Sequence, residues 1–366
     1  MERARVVPNV VRLAGLAVLL TACGPDAAVA PVPPPDLHVV GEPVALRALS
    51  LATFDNSGQV VHPDVAFPSG ALGTAPWLAI TPYPWGNAGY ENPSLFRDND
   101  GYGVWAVPDG VSNPIVRPPR GGYLSDPDIV WSDDTRELRL YYRSVTDGNE
   151  ILVVTSGDGV TWSSPRTVLR APNHHLVSPT VVRRSANEWL MWTVNAGSVG
   201  CGSASTTVEL RRSPDGLVWS SPTTVSLPQR GVFPWHLEVQ WVPALREYWA
   251  LFNGKVGGSC TTDALYLATS ADGTSWRTYS SPVLRRGAIP ELADVVYRAT
   301  FAYDPETDLV SLWHSGASHT SRGYAWRAAF ERRRRGDLLN TIGRTPTTAA
   351  FAMPSDAPPL TNATAP

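Results

Sequence analysis

The chain has 366 residues, with 14 Trp, 12 Tyr, 8 Phe, 34 Pro and 30 Gly but only 17% charged side chains. That composition suits one large domain of many short, turn-linked strands, since propellers and barrels exceed the usual ~150 residues per domain. A net charge of −3, with no extended basic surface implied, argues against nucleic acid as a partner.

At the amino terminus Arg3, Arg5 and Arg12 precede the apolar run 13–20, which is too short to span a bilayer. The run ends in Leu20-Thr21-Ala22-Cys23. This resembles a bacterial lipobox, and the resemblance implies a signal peptide over 1–22 and lipidation of Cys23. The implied location is the cell envelope. Gly24 after the Cys is compatible with sorting to the outer membrane of a Gram-negative cell. Residues 23–37 are Pro-rich and read as a semi-extended tether. Residues 38–53 read as an entering strand that pairs with the last blade of a ring.

From there a turn motif recurs. Ser156-Gly-Asp158-Gly159-Val-Thr-Trp162 returns as Ser213 to Trp219 and as Ser270 to Trp276, so that Asp158, Asp215 and Asp272 are evenly spaced. A looser copy starts at Asp100, at nearly the same interval upstream. Asp-Gly supplies a turn between antiparallel strands, and the Trp can pack beneath it. A unit of several short strands repeated every ~50 residues marks a propeller rather than a helical solenoid. The motif resembles the Asp-box of sialidases and five-bladed glycosidase propellers.

Phasing the repeats on their opening apolar segments gives five inner strands, starting near His62, Asp126, Ser178, His236 and Arg298. Their third residues are Asp64, Asp128, Thr180, Glu238 and Thr300, at spacings of 64, 52, 58 and 62. The expected fold is an all-β, five-bladed β-propeller over residues 38–340, with a disordered tail over 341–366. We read the basic run Arg332 to Arg335 as a solvated edge. In this phasing the repeated turns mark the bottom. The starts of the first strands, the ends of the second and the starts of the third meet at the top. Cys201 and Cys260 fall in top loops of neighbouring blades, and export makes a disulfide between them the default.

The residues sent to the top are His62, Asp64, Tyr83, Glu91, Asn92, Asp126, Asp128, Arg143, Ser178, Asn195, His236, Glu238, Asn253, Arg298 and His314, with Trp85 and Trp235 in adjoining loops. This mixture of carboxylates, amides, imidazoles and rings suits a sugar. Glycoside hydrolysis needs two carboxyl groups of different pKa. The order resembles the five-bladed glycosidases (the arabinanase, xylosidase, invertase and mannoside-phosphorylase group). By that resemblance Asp64 is the base, Asp128 the pKa modulator and Glu238 the acid. Glu91 is the alternative acid or base, because the family's acid usually comes from blade III, where this chain has Ser178-Pro-Thr180. Three readings follow: an exported glycoside hydrolase, a glycan-binding propeller without catalysis, and a sialidase. Five blades and a single obvious inner-strand arginine argue against the third. No Cys/His spacing marks zinc, so no cofactor or metal is expected, and the domain is expected to act as a monomer.

Overall fold

Each repeat becomes one antiparallel sheet, because short β-rich segments separated by tight turns pair with their sequence neighbours. A computed structural model describes residues 42–98, 104–227, 232–256 and 258–346. Signal, Cys23, tether, the Asp100 turn and most of the tail lie outside them. The inner strands of blades I to V are Val60–Ala66, Tyr123–Ser132, Val177–Ser185, Val232–Val242 and Val295–Asp304. Blade V borrows its outer strand, Val44–Ala48, from the start of the domain, where it pairs with Gly323–Arg334. The ring is thus a five-bladed β-propeller closed by main-chain hydrogen bonds.

Apolar clusters among the described residues hold it at every interface between neighbouring blades, with two at the junction of blades V and I. The repeated turns join these interfaces. In each, the serine hydroxyl accepts from the glycine N–H, and one Asp oxygen accepts from the next two amides. The glycine carbonyl then reaches back a blade: Gly216 O accepts from the Tyr141 hydroxyl at 3.0 Å, and Gly273 O from Trp192 Nε1 at 2.9 Å. Gly273 has φ +73°, and a Cβ there would lie 2.8 Å from the Trp192 ring. The motif is therefore a fastener between blades, which explains its glycine as well as its Asp.

Cys201 and Cys260 form a disulfide between the loops of blades III and IV. The buried Lys255 ammonium donates to Cys201 O and Ser203 O at 2.8 and 2.6 Å beside it. The basic run is not simply solvated. Arg332 is buried and donates to Ser311 Oγ, while Arg333 and Arg335 pair with Glu331 and Asp308. The helix Arg335–Ile342, not read from the sequence, seats Leu338 and Ile342 in the cluster between blades IV and V.

Candidate functional site

All five inner strands break register at one level, skipping the pairs 62–63, 126–127, 178–179, 235–236 and 297–298. In blades I to III the bulge puts His62, Asp126 and Ser178 at φ +60°, +51° and +51°, each followed by proline. Left-handed backbone on non-glycine residues costs energy and concentrates at functional sites. Here the bulges re-aim side chains toward the channel.

At the top the bulges bring together His62, Asp126 and His236 from three blades, their donor atoms all within 4.8 Å of one another. Asp126 Oδ1 lies 3.3 Å from His62 Nε2 and 3.2 Å from His236 Nδ1, and Oδ2 is held by Arg143 Nε at 2.9 Å. Burial opposes the Asp126 charge, but Arg143, His62 and His236 outweigh it and keep its pKa well below the ordinary carboxylate range. Burial pushes both imidazoles down, His62 strongly, so they stay neutral near pH 7.

The tautomer of His62 follows from its neighbour. Thr81 donates its one proton to Val61 O, so its Oγ1 accepts from His62 Nδ1–H at 3.1 Å. Neutral His62 therefore turns the Nε2 lone pair toward the anionic Asp126 oxygen. Two lone pairs at such close range repel unless a cation or proton lies between them. His62 Nε2, Asp126 Oδ1 and both His236 nitrogens have no hydrogen-bond partner among the described residues. Two imidazoles and a carboxylate are the donor set of a divalent transition-metal site, and these residues fit one. Spacing could not reveal it, because each ligand comes from a different blade.

Around this centre stand three further groups. Buried Glu91 has Oε2 3.8 Å from His62 Nδ1 and without a hydrogen-bond partner among the described residues, and burial followed by the Asp126 charge raises its pKa well above the usual carboxylate range. Asn92 Oδ1 beside it is also buried and has no hydrogen-bond partner among the described residues. Tyr297, absent from the sequence expectations, lies 4.4 Å ring to ring from His236 and 5.5 Å from His62. Its hydroxyl accepts from Trp235 Nε1 at 2.9 Å. Indole only donates, so the tyrosine proton remains available, and burial keeps the phenol protonated. Tyr297 was missed because the bulge in blades IV and V falls one residue earlier than in blades I to III, which no alternation pattern shows.

The third residues form a second, deeper group. Asp64, Asp128 and Glu238 also gather their oxygens within 4.8 Å. Their oxygens are largely engaged: Asp64 Oδ2 accepts from Ile129 N at 2.5 Å and Asp128 Oδ2 from Val181 N at 3.1 Å, each in the next blade. Thr180 continues the pattern by accepting from Val239 N. Arg298 Nη2 lies 3.3 Å from Glu238 and 3.9 Å from Asp128. Burial raises the pKa of all three acids, and mutual repulsion adds to it for Asp128 and Glu238. This group faces a cavity of about 270 Å³ at the other end of the channel, whose lining includes Asp133 and Pro243 beyond the inner-strand ends.

The remaining expected residues divide. Asn253 Oδ1 accepts from His236 N at 2.6 Å and so fixes that histidine. Ser178 exchanges hydrogen bonds with Leu237 across blades III and IV. Asn195 bonds Glu209 and Gly197 within its own blade. His314 is buried on the second strand of blade V, with neither nitrogen partnered among the described residues.

No protein-family model matches the chain. An A type blood N-acetyl-α-D-galactosamine deacetylase of Flavonifractor plautii is 29% identical over 308 residues, covering 70% of this chain and 40% of the relative. The chain thus spans less than half the length of that curated relative. The crystal structure of an N-acetylgalactosamine deacetylase from F. plautii, in complex with blood group B trisaccharide, superposes with a TM-score of 0.73 at 25% identity. It covers 82% of this chain and 97% of that one. A β-1,2-mannobiose phosphorylase from Listeria innocua, bound to β-1,2-mannobiose, shares the fold at a TM-score of 0.57 and 13% identity, over 82% of this chain and 94% of its own. The relative at 29% identity is an enzyme that acts on an amino sugar, and the phosphorylase shows a shared fold.

Proposed function

We propose that the protein is a hydrolase that removes the acyl group from an N-acetylated amino sugar of a glycan at the top of the channel. The observation behind this reading is the His62–Asp126–His236 centre, with an ionised carboxylate between two neutral imidazoles. Amide hydrolysis needs an activated water, stabilisation of the acyl oxygen as it gains charge, and a proton for the departing nitrogen.

His62, Asp126 and His236 would hold a divalent cation, which when bound polarises the acyl oxygen and makes water more acidic. Arg143 keeps Asp126 ionised for that purpose. Glu91, whose Oε2 stands 3.8 Å from His62 and whose proton affinity burial increases, is suited to take a proton from water at Oε2 and return it to the leaving nitrogen. The net change is one water added across the broken C–N bond, with both water protons ending on the nitrogen, so that an ammonium and a carboxylate are formed. The Tyr297 hydroxyl, held from behind by Trp235, can donate to the acyl oxygen.

The test is acetate release from oligosaccharides ending in α-linked N-acetylgalactosamine. Asp126→Asn and Glu91→Gln should each lower the rate by ~10²–10⁴-fold. Chelation should lower it too, with recovery on adding a divalent ion. A second reading, glycosidic cleavage by Asp64, Asp128 and Glu238, has the gathering of those acids in its favour. It predicts new reducing ends, no acetate, and loss in Glu238→Gln. Acetate release unaffected by Asp126→Asn sinks the first reading.

We also propose display on the cell envelope through Cys23, as a monomeric domain on its Pro-rich tether. Cys23→Ala should move the protein from the membrane fraction to the soluble one and abolish palmitate labelling.

A further inference from the structure

We infer that Trp85 and Tyr90 form a sugar-stacking subsite outside the reaction centre, which takes the next pyranose ring of an oligosaccharide. This deepens the deacylase reading and rests on its glycan substrate.

Trp85 alone of the fourteen tryptophans is exposed. Six large apolar side chains are exposed among the described residues, and the two aromatic ones are Trp85 and Tyr90, at 43% and 42%. Both belong to the top loop of blade I, residues 83–92, which turns Glu91 and Asn92 inward to the centre. A fold that buries or half-buries thirteen tryptophans has no packing reason to display the other. A flat apolar face at a polar site suits a pyranose, whose C–H face stacks while its hydroxyls take hydrogen bonds.

The ring is held in place. Trp85 has φ 57° and ψ 26°, a left-handed conformation for a bulky residue. Its backbone N–H donates to Gln59 Oε1 at 3.1 Å, and the same oxygen accepts from Trp326 N at 3.1 Å. Gln59, buried at 2% exposure, therefore ties the strained loop to the long hairpin of blade V. Strain maintained by a buried clamp for an exposed ring is hard to explain by stability, which relaxing the loop would improve.

The position is continuous with the centre. Rings follow one another from His62 to His236 at 4.8 Å, to Tyr297 at 4.4 Å, to Trp326 at 5.1 Å and to Tyr83 at 5.2 Å. Tyr83 opens the loop that bears Trp85. Arg322, at the hairpin tip, places its guanidinium carbon over the Trp85 ring, 5.9 Å from the centroid.

The experiment compares kcat/KM for a trisaccharide ending in N-acetylgalactosamine with that for methyl N-acetylgalactosaminide. Trp85→Ala should reduce the trisaccharide-to-monosaccharide ratio about tenfold, mainly through KM, and Trp85→Tyr should restore most of it. Equal losses on both substrates, or no loss, overturn the subsite. Calorimetric titration of the trisaccharide into both proteins separates this result from the fate of the reaction. If wild type deacylates nothing but binds the trisaccharide about tenfold more tightly than Trp85→Ala, the subsite stands and the deacylase reading falls. Equal affinities, or no binding to either protein, overturn the subsite. Circular dichroism of both variants excludes misfolding as the cause.

Discussion

His314 illustrates how a residue can fit a functional pattern and be used otherwise. It lies within the second strand of blade V, Leu309–Thr320, and pairs with Ala299, one residue before the position that in other blades supplies Arg143 and Asn253 and that in blade V is Ser315. The structure buries it with neither nitrogen partnered among the described residues, and burial, helped by Arg333, pushes its pKa down to about 3. The ordinary unfolded value is about 6.5. The unfolded state therefore binds the proton first, and stability is lost as pH falls from about 6.5 toward 3. The cost at pH 5 is about 2 kcal/mol. His314→Leu should remove that acid-sensitive part, so urea unfolding of the variant should show a loss between pH 7 and pH 5 smaller by about 2 kcal/mol. An unchanged pH dependence would show that His314 finds a partner.

At the scale of elements, the repeated turn and the inner strand behaved differently under sequence reasoning. Ser-x-Asp-Gly-x-x-Trp was legible because its bonds are local: hydroxyl and carboxylate meet amides two or three residues away. Its contact with the preceding blade was not legible. That contact makes a prediction. Gly273→Ala adds a Cβ 2.8 Å from Trp192 at a φ of +73°. It should destabilise by about 2 kcal/mol or more, through both the left-handed backbone and the clash. Denaturant midpoints of the two proteins decide this, and an unshifted midpoint contradicts the fastener role. For the inner strands, the phasing placed His62, Asp126 and His236 near one mouth. The bulges then decided which of the polar neighbours face each other. Two levels of buried side-chain groups resulted where one pocket was expected.

On the scale of the molecule, closure depends on Val44–Ala48, which pairs with a strand from the opposite end of the domain. Leu46 also packs against the cluster between blades IV and V. Deleting residues up to 50 should expose the edge of Gly323–Arg334 and favour aggregation. It should lower the melting temperature far more than removing a loop of equal length. A deletion variant that stays monomeric with an unchanged melting temperature would show that the interblade clusters alone hold the ring.

The sequence by itself determined the blade count, the phasing, the ring-closing strand, the disulfide and the end of the channel where His62, Asp126 and His236 converge. These follow from repeat interval, turn chemistry and alternation, which are local or periodic properties. Only the tertiary structure decided that Asp64 and Asp128 hold backbone amides of the next blade while Asp126 faces two imidazoles. Only it brought Tyr297 to the centre and left Trp85 in solvent. These depend on bulges that shift register by one residue and on contacts between blades a full repeat apart in sequence. A one-residue shift reverses which face a side chain occupies, and no spacing in the chain records it.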